Sequence, residues 1–79
     1  MSEKYVAYLR ERFPAGTRIE LVQMGDDPRP IPPGTKGTVV AVDDMGTVHC
    51  RFDNGRRLGL IPGEDVFRKA EPVRSGDAR

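Results

Sequence analysis

A chain of 79 residues has room for one domain. Only 37% of it is hydrophobic, with two Tyr, three Phe and no Trp, so the core must be small and built mainly from Val, Leu and Ile. Thirteen Lys and Arg nearly cancel twelve Asp and Glu; the net charge of +1 excludes a global field that would gather nucleic acid or membrane surface, and leaves charge recognition to local patches.

The single cysteine, Cys50, allows neither an internal disulfide nor a cysteine-rich zinc site and suits a reducing compartment. No signal-peptide pattern or long apolar run is visible, so a cytoplasmic protein without a membrane partner is expected. Short chains bury a modest share of their surface, which leaves stability to gain from a partner or from a second copy in a homodimer.

Residues 1–13 form a first unit. Ser2 is placed to cap a helix running to Arg12, with Tyr5, Leu9 and Phe13 at i, i+4 and i+8 on one face and Val6 widening the stripe. Pro14-Ala15-Gly16 ends it. About eleven residues make a marginal helix in water. This one is expected to pack across an open end of the fold, the alternative being a helix held out for a partner.

Residues 14–70 form the main unit. From Thr17 to Gln23 the pattern alternates, with Ile19 and Leu21 on one face and Arg18 and Glu20 on the other. Then Pro28, Pro30, Pro32 and Pro33 forbid helix and ladder and predict a stiff extended excursion, pinned to the core by Ile31. Asp26, Asp27 and Arg29 make this excursion a candidate binding loop.

Beyond Thr35 the pattern is β. Three-residue connections at Asp44-Met45-Gly46 and Asp53-Asn54-Gly55 suit a type I turn followed by glycine in the left-handed region. They set Val42 opposite Val48, Val40 opposite Cys50, Thr38 opposite Phe52, Cys50 opposite Leu58 and Val48 opposite Leu60. A two-residue turn at Asn54-Gly55 would slip the register by one and put Arg51 opposite Leu58, among the core side chains. The predicted inner face is therefore Val40, Val42, Val48, Cys50, Phe52, Leu58 and Leu60, and Gly37 is expected as a bulge. Pro62-Gly63-Glu64-Asp65 predicts a tight turn before a short last strand at Val66–Lys69. Gly46, Asn54, Gly55 and Gly63 are the expected turn residues. Residues 71–79 are polar and expected to be disordered. Five short strands in this order predict a mainly β fold, a small five-stranded SH3-like barrel with a short N-terminal α-helix; the alternative is an open antiparallel sheet with the helix on one face.

Met24-Gly25-Asp26-Asp27-Pro28, Ile31-Pro32-Pro33-Gly34-Thr35-Lys36-Gly37-Thr38-Val39, Val42-Asp43-Asp44-Met45-Gly46-Thr47, Phe52-Asp53-Asn54-Gly55 and Leu58-Gly59-Leu60-Ile61-Pro62-Gly63-Glu64-Asp65 together resemble domain-of-unknown-function family 4314. The resemblance runs from Pro14 to Arg68 and implies a setting in bacteria, phages and mobile elements, without an established activity. Cys50 and Phe52 stand where the family more usually has valine and tryptophan; both keep an apolar residue facing the core. A shorter stretch, Gly16-Thr17-Arg18-Ile19-Glu20-Leu21-Val22 with Gly34-Thr35-Lys36-Gly37-Thr38-Val39, is similar to KOW-type barrels of ribosomal and transcription proteins, and implies contact with nucleic acid or protein by fold analogy.

Catalytic patterns find little support. His49 and Cys50 are neighbours in a strand, so their side chains point to opposite faces and cannot form a nucleophile–base pair. The carboxylate pairs Asp26-Asp27, Asp43-Asp44 and Glu64-Asp65 lack the alternating spacing of a calcium loop and suit turn capping. Gly34-Thr35-Lys36-Gly37-Thr38 lacks the spacing of a phosphate loop. No enzyme, cofactor, metal site or small-molecule substrate is expected. What remains is the outer face of the meander, with Ala41, His49 and Gly59 in one row and Val39, Arg51 and Arg57 in the next. His49 would stand over a shallow furrow between two nearly bare positions. Arginine favours bidentate bonds to carboxylate or phosphate. The expectation is a binding module whose face at Val39, His49, Arg51, Arg57 and Gly59 docks another protein; nucleic acid on the same face is the alternative partner.

Overall fold

The computed structural model describes residues 2–25 and 27–71. Ser2 caps the helix as expected: its Oγ accepts the N–H groups of Lys4 and Tyr5 at 3.1 and 3.4 Å, satisfying two donors that a helix start otherwise leaves free. Helix α1 spans Glu3–Arg12 and buries Val6 and Leu9. Phe13 follows at the cap, buried, with its ring 5.4 Å from that of Phe67. Arg10 fastens the helix to the sheet, donating from Nε to the Val42 carbonyl at 3.1 Å and from Nη2 to Asp44 at 2.7 Å. The helix thus docks its apolar stripe on the sheet rather than holding it out.

Five strands follow: β1 (Arg18–Gln23), β2 (Lys36–Val42), β3 (Val48–Phe52), β4 (Arg57–Leu60) and β5 (Val66–Lys69). They form one antiparallel sheet in the order β4-β3-β2-β1-β5, so the chain is mainly β with a short N-terminal helix. Leu9 and Phe13, Ile19 and Leu21 of β1, Val39 and Val42 of β2, Val48, Cys50 and Phe52 of β3, and Leu60 of β4 share one core, against which Leu58 and Phe67 pack. All five strands and the helix feed this core. Each large aliphatic side chain in it contributes about 2 kcal/mol through removal from water.

The proline-rich excursion is held at both ends and in the middle. Leu21 exchanges bonds with its far end, donating to the Thr35 carbonyl at 2.9 Å and accepting from Gly34 N–H at 2.7 Å. Ile31 is 1% exposed and pins the middle, as expected. Asp65 ties the near end. One of its carboxylate oxygens accepts Gly25 N–H at 2.7 Å and the other accepts Ile61 N–H at 2.8 Å, linking the excursion to the Ile61–Asp65 turn.

Both three-residue hairpins form. Asp43 N–H donates to Thr47 at 3.0 Å and Gly46 N–H to Asp43 at 3.0 Å; Phe52 N–H donates to Arg56 at 2.7 Å and Gly55 N–H to Phe52 at 2.9 Å. Gly46 and Gly55 have φ of 82° and 92°, the left-handed conformation such turns demand of their last residue. The β3–β4 register follows the prediction pair by pair, from Val48 opposite Leu60 to Arg51 opposite Arg57.

On β2 the predicted register holds only as far as Ala41. Val42 faces Val48 and Ala41 faces His49, but a bulge between Val39 and Ala41 then sets Val39 opposite Cys50, Thr38 opposite Arg51 and Gly37 opposite Phe52. Val39 is therefore 1% exposed, in the core, and Val40 is 56% exposed. The expectations that Val39 lies on the outer face, that Val40 lies inside and that Thr38 opposes Phe52 are corrected accordingly. Unbroken alternation would have turned the Thr38 hydroxyl into an apolar core, an unfavourable burial without a partner. The bulge turns Thr38 outward, where its Oγ1 accepts from Arg18 Nη1 at 2.9 Å. Gly37 turns inward. It is not the bulge expected of it; a Cβ there would come within 2.9 Å of the Phe52 ring and of the Arg51 carbonyl, so its bareness makes room for Phe52. Of the tail expected at residues 71–79, only Glu71 is among the described residues.

Candidate functional site

The hairpin register and the bulge together determine what the outer face of the meander presents. One row crosses four strands: Arg18 of β1 opposite Thr38 of β2, Thr38 opposite Arg51 of β3, Arg51 opposite Arg57 of β4. The next contains Ala41, His49 and Gly59, as predicted. Because a bulge opposes two residues to one, Val40 and Ala41 both turn outward beside His49. Val40, His49, Arg51, Arg57, Leu58 and Gly59 line an open depression of about 480 Å³.

Charges on this face divide into the neutralised and the free. Arg18 forms a fork on Asp53, with Nη1–Oδ1 at 2.9 Å and Nη2–Oδ2 at 2.7 Å. The hydrogen bonds from Arg18 hold the Asp53 carboxyl below the usual carboxylate range. Arg68 reaches Glu20 at 3.2 Å. Arg51 and Arg57, both exposed, have no carboxylate partner among the described residues. Like charges directly opposite one another destabilise a strand pair, so these two guanidiniums would gain from an external anion.

His49 is also engaged. Its Nε2 lies 2.8 Å from Asp43 Oδ2, while Asp43 Oδ1 accepts the N–H groups of Met45 and Thr47 at 2.9 and 3.0 Å. The bond from His49, followed by that from Thr47, pulls the Asp43 carboxyl below its ordinary range. The aspartate thereby joins turn geometry to ring orientation. Neither this pairing nor the outward turn of Val40 was expected. The first was legible: with Ala41 opposite His49, Asp43 is two residues along on the same face and a diagonal neighbour. Gly59 completes the arrangement. A Cβ there would come within 2.5 Å of the Thr47 methyl and 3.5 Å of the His49 ring, so only a bare position lets both lie across β4.

The remaining predicted residues are placed elsewhere. Asp27 caps its own turn, accepting Arg29 N–H at 2.7 Å, and the Arg29 carbonyl accepts from Arg56 Nη1 at 2.7 Å. Arg56 therefore links the proline excursion to the start of β4. Asp26 lies outside the described residues. Asn54 accepts Arg56 N–H at 3.0 Å, and Gly63, with φ of 100°, shapes the turn before β5. Cys50 faces the core, away from His49, and burial pushes its thiol up to about 11, which keeps it protonated at neutral pH. Among the described residues no group of three or more His, Cys, Asp or Glu is arranged to hold a metal ion, and no helix is long and apolar enough to cross a membrane.

Fold and face define a small, mainly β domain with a single antiparallel sheet and a local cationic surface on its meander. The chain belongs to the family described as Domain of unknown function (DUF4314), whose model matches residues 2–70. No curated protein and no solved structure matches it.

Proposed function

We propose that this chain is a non-enzymatic, cytoplasmic binding module that docks a partner protein on the outer face of the β2–β3–β4 meander. The observation that carries this reading is the Arg51–Arg57 pair: two exposed guanidiniums on facing strands without a carboxylate among the described residues, on a sheet where Arg18, Arg68 and His49 each have one. Arginine is the side chain best suited to capture a carboxylate in fork geometry. The adjacent depression and the exposed Val40 add apolar contact at its rim. The same proposal takes the fold as SH3-like, supported by a β1 that pairs with both β2 and β5, and takes the phage and mobile-element setting from the family resemblance. Exchanging Arg51 and Arg57 together for alanine is expected to reduce partner capture at least tenfold while leaving Tm within about 2 °C. Undiminished capture by the double variant would remove the assignment.

Nucleic acid is the second reading, because two free arginines also suit phosphate. Against it, no Phe or Tyr of the described residues stands on this face for base stacking, since exposed Tyr8 is on α1 and the His49 ring is engaged by Asp43. Amide NMR of the labelled protein with short duplex DNA and RNA separates the two. Shifts at His49, Arg51 and Arg57 that vanish on raising salt support phosphate contact; an unchanged spectrum supports the protein partner.

A further inference from the structure

Resting on the reading of this face as a protein-docking surface, the geometry points to the mode of docking: an extended acidic segment of the partner adds as a sixth strand along the free edge of β4. Three independent features meet there.

The first is backbone hydrogen bonding. β4 ends the sheet, paired with β3 alone. In an antiparallel ladder, pairs that exchange N–H···O=C bonds alternate with pairs that do not. Phe52 N–H donates to Arg56 at 2.7 Å, which starts the count and makes Cys50–Leu58 and Val48–Leu60 the bonded pairs that follow. Arg57 and Gly59 then direct their N–H and C=O groups away from β3, where no described strand pairs with them. An edge of this kind is a template for another strand.

The second feature is charge. Residues directly opposite one another in an antiparallel pair have side chains on the same face. A partner residue bonded to the Arg57 backbone would project its side chain beside the Arg57 guanidinium, with Arg51 one strand further on, about 5 Å away in the hydrogen-bonding direction. A glutamate or aspartate at that position would meet both arginines and relieve their mutual repulsion.

The third is shape. Two residues along β4, Gly59 bears no side chain, and its row is bordered by the His49 ring and the Thr47 methyl. A bulky residue opposite Gly59 would lie over the depression lined by Val40, His49 and Gly59, as an aromatic does across from a glycine in a strand pair. Between the two, the residue opposite Leu58 turns toward the core side and should be apolar, extending the partly buried Leu58. Read in the partner's own direction, antiparallel to β4, the segment is aromatic, then apolar, then acidic. The other edge, β5, is a poorer candidate. Phe13 packs against Phe67, Lys69 lies over the Phe13 ring, and Arg68 is engaged by Glu20.

The test uses the labelled full chain and a capped hexapeptide, serine-tyrosine-valine-glutamate-valine-threonine, with three companions: lysine for the glutamate, N-methyl on the glutamate, and the parent peptide against the Arg51→Ala, Arg57→Ala double variant. Strand addition predicts amide shifts along β4, slowed hydrogen exchange at Arg57 and Gly59 N–H, and binding at least tenfold weaker for each companion. The N-methyl group removes the donor to the Arg57 carbonyl without touching the carboxylate. Equal binding of the N-methylated peptide, with Arg57 and Gly59 exchanging as before, would overturn strand addition and leave the arginine face standing. Shifts confined to β5 or α1 would overturn both. Absence of shifts at millimolar peptide overturns this recognition mode, and the capture experiment with the double variant then judges the face separately. Protection of Arg57 and Gly59 that appears without peptide and grows with protein concentration would assign the edge to a second copy of the chain, and overturns the inference.

Discussion

His49 Nε2 stands 2.8 Å from Oδ2 of Asp43, across the β2–β3 turn, while the other oxygen of that carboxylate accepts two turn N–H groups. The carboxyl is held below its ordinary 3.8 by these bonds, as Asp53 is by Arg18. A carboxylate with a lowered folded value stabilises the fold above its unfolded value, and that contribution is lost as pH falls through the lower, folded one. Tm should therefore fall as the solution is acidified below about pH 4. Asp43→Asn and Asp53→Asn should each flatten that slope. Thermal unfolding by circular dichroism at a series of acidic pH values checks this; an acid slope unaffected by either substitution would contradict the assigned pairings.

The β2 bulge makes opposite demands on adjacent valines. Val39→Ala removes two methyls from the core and should cost about 2 kcal/mol, whereas Val40→Thr at the exposed bulge should change stability by less than about 0.5 kcal/mol. Urea unfolding of the two variants decides between the bulged register and the unbroken one, under which the larger loss would fall on Val40.

Gly37 and Phe52 make a second check on the same strand. Alanine at Gly37 would force its Cβ against the Phe52 ring and the Arg51 carbonyl, and overpacking of this kind costs about 1–3 kcal/mol. A Gly37→Ala protein that unfolds at the wild-type urea midpoint would show that Phe52 does not sit over this glycine.

Asp65 joins two segments that the sheet ladders leave apart, the near end of the proline excursion and the turn before β5. It is 8% exposed. Removing its carboxylate in Asp65→Ala leaves two backbone N–H groups without their acceptor, a loss of about 2 kcal/mol and a Tm lower by about 10 °C. Asp65→Asn, which keeps one oxygen, should lose less. Calorimetry of the pair measures the difference; equal losses would mean that the oxygen kept by asparagine contributes nothing, and would contradict the assigned bonds.

Much of the fold was legible because its signals are local. Ser2 before an apolar stripe at helical spacing specifies α1, and Pro14-Ala15-Gly16 stops it. Each Asp-x-Gly turn sets its hairpin register, because a slip of one residue would turn Arg51 or its neighbours into the core. From that register follow Arg51 opposite Arg57 and His49 opposite Gly59, four of the residues that line the candidate face. Ile31 was legible as the only aliphatic residue among prolines.

Other features depend on contacts between segments distant in the chain. The bulge at Val40 is decided by what meets β2 from either side: Phe52 needs the space over Gly37, and Arg18 meets the Thr38 hydroxyl on the outer face. Alternation along β2 read by itself cannot register either contact, so it placed Val39 outside. The elements, both hairpin turns and the identity of the core strands are readable from neighbouring residues, since propensity, capping and period-two patterning act over a few positions. Which carboxylates Arg10 and Arg18 meet follows from the folded chain, because the partners lie far apart in sequence. Arg18 finds Asp53 and Arg10 finds Asp44 across more than thirty residues, and on the meander face Arg51 and Arg57 are left without a carboxylate among the described residues.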